Sequence, residues 1–177
     1  MKERYAVVVG VDGSPESHAA LRFALEDAAR RGSGVRVVSA FVPPEYWAVS
    51  YGLTALPTLE DLVQDCAHVG QAAVDAAMAA DPELGAVPTE VVTPPGPAAK
   101  ALLEQAADAD LLVVGHRGRG GFKSAVLGSV GLHCVLHATC PVTIVRPERV
   151  AAPAPRVEAA HETETETETG AVFVPIY

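Results

Sequence analysis

LLVVGHRGRGGFKSAVLGS, residues 111–129, is the stretch on which the reading of the whole chain turns. Leu111 to Val114 form a continuous apolar run, the pattern of a strand buried on both faces. A glycine-rich basic loop follows, and from Gly128-Ser129 onward the pattern is helical. A buried strand that feeds a glycine loop and then a helix N-terminus brings exposed backbone N–H groups and the positive end of the helix dipole to one spot. That is an anion-binding arrangement. No Asp or Glu lies between Asp110 and Glu148, although the chain has a formal net charge of −9, and the same interval carries Arg117, Arg119, Lys123 and Arg146. Local positive charge in an acidic chain favours a polyanion at this loop. On composition alone, a solvated surface loop is an equally good reading.

The glycine spacing separates this loop from two familiar ones. A Walker A loop has Gly directly before Lys-Ser/Thr, whereas Phe122 precedes Lys123-Ser124 here, and the G-x-G-x-x-G fingerprint is absent around Gly118-Gly120. What is present is Gly115-x2-Gly118-x9-Gly128-Ser129. This resembles the ATP-binding pattern of the universal stress protein family, in which the same spacing follows the fourth strand.

Length and composition bound the rest. A chain of 177 residues suffices for one domain with a buried core. Hydrophobic content of 49% with only 20% charged residues fits a folded protein. The start, Met1-Lys2-Glu3-Arg4, leads straight into a strand, so no signal peptide is expected, and no apolar run approaches the roughly 18–20 residues that span a bilayer. Three cysteines at irregular spacing speak against a disulfide framework. The expectation is a cytoplasmic protein that binds neither membrane nor nucleic acid, since its overall charge is acidic.

Along the chain, β and α patterns alternate. Tyr5 to Val11 reads as a central parallel strand. Ser14, Pro15 and Glu16 then supply an N-cap, a first-position proline and a dipole-matched acid for a helix to about Arg31, which Gly32-Ser33-Gly34 ends. Val35 to Val42 reads as the second strand, ended by Pro43-Pro44. Glu45 to Leu56, with Trp47 and Tyr51, reads as a loop. A helix runs from about Pro57 to Ala80, with Cys66 on its apolar stripe as a buried, inert thiol. Thr89 to Thr93 is a short third strand, at an edge given Glu90. Ala98 to Ala107 is helical, Leu111 to Val114 is the fourth strand, a helix runs from Ser129 to about His137, and Val142 to Val145 is the fifth strand. This alternation predicts an α/β fold, one doubly wound domain with a parallel sheet.

The resemblance covers residues 4–147 and carries specific expectations. It implies a five-stranded parallel sheet in the order 3-2-1-4-5, with ATP at the switch between strands 1 and 4. Asp12, with Val11 and Ser14 around it, would take the ribose or, through Mg²⁺, help place the triphosphate; a turn-former at a strand end is the plainer reading of Asp12. Ala40, Phe41 and Val42 would lie against adenine. Gly115, Gly118, Gly128, Ser129 and Val130 would surround the phosphates, with Arg117 and Arg119 screening charge and His116 where the family often has a small polar residue. The implied function is that of a nucleotide-dependent stress-response regulator with slow or no ATP hydrolysis. A true nucleotide hydrolase or transferase, or an interaction module, are the rival classes. The last strand, Val142, Thr143, Ile144 and Val145, would pair with its copy in a homodimer. No catalytic residue stands out.

Two further features of the sequence bear on function. His133 and His137 share a helix face at a spacing zinc can use, but Cys134 points off that face and Cys140 lies beyond the helix, so packing is the better reading. The domain is expected to span residues 1–148. Residues 149–177 form a tail whose linker, Ala151 to Pro155, leads to alternating Glu and Thr over 162–169, with one arginine from Ala151 onward, Arg156, against five glutamates. Such a tail is expected to stay extended, and its apolar end, GAVFVPIY, to be disordered or to dock on a partner.

Overall fold

The computed structural model describes residues 5–43, 58–119 and 127–147. The expectations for the loop with Trp47 and Tyr51, for Lys123 and Ser124, and for the acidic tail fall outside those residues.

The five strands are β1 (Val7–Gly10), β2 (Val35–Val38), β3 (Thr89–Val92), β4 (Leu111–Gly115) and β5 (Val142–Val145). They form one parallel sheet in the order β3-β2-β1-β4-β5. The α/β class and the strand order are therefore as the alternation and the resemblance implied. The helices are α1 (Pro15–Arg31), α2 (Leu59–Ala80), α3 (Ala98–Gln105) and α4 (Ser129–His137). Successive strand residues point to opposite faces, and here both faces are covered. Val7, Val9 and Val113 pack with Leu21, Leu25 and Val74 of α1 and α2. Val8, Leu112 and Val114 pack with Leu102 and Cys134 of α3 and α4. This double burial is why the strands read as unbroken apolar runs.

The helix ends follow the sequence signals. The Ser14 side chain accepts from the Ser17 N–H, and Gly32 closes α1 in the left-handed region at φ 63°. Thr58 and Asp61 form a reciprocal capping box at the start of α2. A short 3-10 helix, Pro82–Ala86, follows α2 and buries Leu84. Five residues with one buried apolar side chain set no period, so this turn leaves no signal in the sequence beyond the end of α2.

The second strand is shorter than expected. Regular pairing with β3 stops at Val38 and Val92, and beyond it Phe41 makes a lone parallel bridge to Pro95. Pro94 and Pro95 have no N–H to continue the ladder. Instead the Gly96 N–H donates to the Phe41 carbonyl at 2.7 Å. At the β3 edge, Glu90 accepts from Arg36 of β2 at 2.8 Å. Among the described residues, no helix is long and apolar enough to cross a membrane.

Candidate functional site

Adjacent parallel strands end at the same edge of a sheet, so the segments after β1 and β4 meet there. The order of connections reverses between these two strands, and that reversal opens a crevice. The Asp12 carboxylate joins its two sides. One oxygen accepts from the Ser14 N–H at 3.0 Å and the Ser14 hydroxyl at 2.6 Å. The other accepts from the Arg119 backbone N–H at 3.1 Å, across 107 residues of sequence. A Cβ on Gly118 would stand 2.5 Å from that second oxygen, so the approach requires glycine. Burial alone would push the Asp12 carboxyl up, but the hydrogen bonds from Ser14 and Arg119 outweigh it and hold the group below the usual carboxylate range. Asp12 is thus an anion committed to shaping the crevice.

The two ends of the glycine loop are pinned together. The Gly128 N–H donates to the His116 carbonyl, and the His116 N–H donates to the Val145 carbonyl, each at 2.8 Å. Gly128 occupies the N-cap of α4, where, among the described residues, no side chain caps the helix and no acid lies in the first turn. Among the described residues, that leaves a helix N-terminus with no acidic side chain in its own first turn. His116 Nδ1 is buried without a hydrogen-bond partner among the described residues. The turn after β1 contributes Gly13 at φ 80°, and Arg119 Nη2 lies 2.7 Å from the point a Gly13 Cβ would occupy. The backbone angle disfavours any larger residue there, and a Cβ would also require the Arg119 guanidinium to move aside.

The crevice therefore brings Asp12, Ser14, His116, Gly118, Arg119 and Gly128 together. Val11 is buried beside it, its N–H donating to Val38 at 2.9 Å. That bond carries the crevice toward the end of β2, where Phe41 is buried and Val42 is 45% exposed. Ser129 is exposed at the start of α4, and Val130 packs partly against the core. Gly115 has a packing role: a Cβ there would stand 2.9 Å from the backbone of Glu16.

Sequence reasoning missed the contribution of α2. Val69 Cγ1 lies 3.4 Å from the same Gly13 point, beside Arg119. Cys66, expected to be buried, is partly exposed, and it lies near Ser39 and Arg119. The available signal was Gly70 on the apolar stripe, which lets α2 settle closely on Val91 and Ser39.

Two other features lie apart. The His133 and His137 rings stack at 4.2 Å on the exposed side of α4, while Cys134 is buried and its thiol is pushed up to about 11. Among the described residues, no three His, Cys, Asp or Glu side chains gather to hold a metal. A groove of about 530 Å³ opens between His18, Arg22, Phe23, Ala73 and Val145, and it shares no residue with the crevice.

Fold and crevice define a doubly wound α/β domain with a glycine loop at its switch point. Residues 5–146 match the sequence profile of the universal stress protein family, and the chain belongs to that family. It is 30% identical over 140 residues to a universal stress protein of Mycobacterium tuberculosis, an alignment that covers 79% of this chain and 47% of the relative. The chain spans about half the length of the curated relatives it matches. Among solved structures it is similar to a universal stress protein in complex with cAMP, with 27% identity, 80% and 97% of the two chains covered, and a TM-score of 0.58. It also shares its fold with a universal stress protein from Archaeoglobus fulgidus in complex with dAMP, with 23% identity, 80% and 97% covered, and a TM-score of 0.52.

Proposed function

We propose that this chain is a nucleotide-dependent stress-response regulator that binds ATP, with Mg²⁺, in the crevice between β1 and β4. The observation that carries this reading is the Asp12–Arg119 hydrogen bond, which ties the turn after β1 to the glycine loop and forms one site from two distant segments. The cAMP-bound relative supports an adenine nucleotide as the ligand class. In this reading the N-terminus of α4 and the backbone around Gly118 meet the phosphates, and Arg117 and Arg119 offset their charge. Asp12 faces the ribose or the metal-bound phosphates, and Ala40 to Val42 face the base. Such a regulator works in the cytoplasm, where MgATP is supplied.

The chemistry favours binding over turnover. Among the described residues the carboxylate of the crevice is Asp12, and both its oxygens already accept hydrogen bonds, so it is a poor base for water. Calorimetric titration of MgATP tests the reading, together with a phosphate-release assay. The expected result is micromolar binding with release well below about 1 s⁻¹, the low end of ordinary enzyme turnover. Faster release would move the chain to the hydrolase class, and no binding would remove the nucleotide reading.

The homodimer is part of the proposal. β5 is an edge strand of half-buried residues, and beside it α4 exposes Leu132, Val135 and Leu136 at 50%, 49% and 67%. Their i, i+3, i+4 spacing makes one apolar stripe, which a second copy pairing along β5 would cover. The double variant Leu132→Lys, Leu136→Lys is expected to sediment as a folded monomer where the native chain is a dimer; an unchanged sedimentation coefficient would count against this interface.

A further inference from the structure

The proposed nucleotide crevice has so far two walls, the turn after β1 and the loop after β4. We infer that α2 is a third wall, and that its rim at Cys66 and Val69, with Arg119 reaching across from the glycine loop, contacts the bound nucleoside. This rests on the nucleotide reading above and adds the side from which the ligand is enclosed.

The geometry comes from three facts. In a right-handed β-α-β crossover the helix runs antiparallel to its strands, so the N-terminal half of α2 lies at the strands' C-terminal edge, where the crevice opens. Gly70 then draws that half inward: a Cβ there would stand 2.7 Å from Val91 Cγ1 and 3.8 Å from Ser39 Cβ, a depth only glycine permits. Val69, the residue before it, reaches the Gly13 turn, and the Arg119 guanidinium comes to that same point. Cys66 lies one helical turn before Gly70, on the same face and closer to the mouth, with Ser39 within reach.

The chemistry of this wall suits a nucleoside rather than more phosphate. A valine methyl and a thiol are small, weakly polar surfaces that pack on a sugar or a purine face. Burial pushes the Cys66 thiol up, despite Ser39 and Arg119, so it is neutral near pH 7 and adds no charge against the ligand. The cation beside it, Arg119, is tethered through its own backbone to Asp12. Ligand, Asp12 and α2 are thereby linked through one residue.

The test is alkylation of native, full-length protein with N-ethylmaleimide, read peptide by peptide by mass spectrometry. Cys134 is fully buried, and Cys140 precedes β5 at the opposite end of the sheet, so Cys140 serves as the internal control. With MgATP at ten times its dissociation constant, Cys66 labelling is expected to slow about tenfold, in proportion to the free protein, with Cys140 unchanged. In Cys140→Ser, which changes a residue away from the crevice and is expected to bind MgATP as the native chain does, prior alkylation of Cys66 is expected to weaken MgATP binding at least about tenfold. Native MgATP binding with unchanged Cys66 labelling, and equal affinity after alkylation, would overturn the third wall and leave the proposed function standing. Absence of MgATP binding by the native chain would overturn both.

Discussion

Gly128→Ala is expected to weaken MgATP binding about a hundredfold, roughly 2.7 kcal/mol, while the fold stays essentially as stable as before. The two halves of this expectation have separate grounds. In the protein itself the new methyl is tolerated: its position is 3.4 Å from Arg117 Cα and from the His116 carbonyl oxygen, an ordinary contact distance. The backbone there, φ −70° and ψ 155°, is open to any residue. Alanine is a poorer N-cap than glycine by several tenths of a kcal/mol, and it restricts the unfolded chain by about as much, so the two effects roughly cancel. Toward a phosphate the same methyl is a barrier. It stands at the helix N-terminus, where the ligand must come within hydrogen-bond distance of the backbone, and each such bond to a charged group contributes about 1.5–3 kcal/mol. Calorimetry and thermal melting on one sample separate the effects. Native affinity in a stable variant would show that phosphates do not sit on α4. Gly118→Ala is less clean, because its Cβ would drive Asp12 off the Arg119 N–H and disturb the empty crevice too.

Much of this arrangement was legible in the chain, for identifiable reasons. Strands buried on both faces leave continuous apolar runs, so Val7 to Gly10 and Leu111 to Gly115 were visible within two residues of their ends. Ser14, Pro15 and Gly32 act locally, and local signals survive in sequence. The loop's glycines were legible because their spacing is itself the motif. What was not legible depended on other segments. The early end of β2 is decided by two prolines more than 50 residues away. The place of Cys66 follows from how deeply Gly70 seats α2 against β2 and β3, and helical periodicity cannot separate a residue on the core stripe from one at its rim. The tie from Asp12 to the Arg119 backbone leaves no mark at all, since every residue but proline supplies an N–H.

Gly115 belongs to the same motif as Gly128, yet its replacement is expected to fail in the opposite way. A Cβ at Gly115 would stand 2.9 Å from both the carbonyl carbon and oxygen of Glu16 and 3.0 Å from the Arg117 carbonyl oxygen. All three atoms are backbone, so no side chain can rotate out of the way. Glu16 is in the first turn of α1, whose N-cap Ser14 is itself held by Asp12. Relief therefore requires the start of α1 to move away from β4, and the two elements share the core through Leu21, Leu25 and Val113. Overpacking of this kind costs about 1–3 kcal/mol. In a chain of this size that lowers the melting temperature by roughly 2–4 °C per kcal/mol, and a fall of about 5–10 °C is the expected result for Gly115→Ala. Gly85→Ala is the control, since a Cβ there meets nothing within 4 Å and the melt should not move. If Gly115→Ala melts with the native chain and loses only MgATP binding, its glycine serves the ligand, as at Gly128. If it melts early, one spacing motif contains two different demands: a glycine at the strand end that lets α1 reach the sheet, and a glycine at the helix start that lets a phosphate reach the backbone.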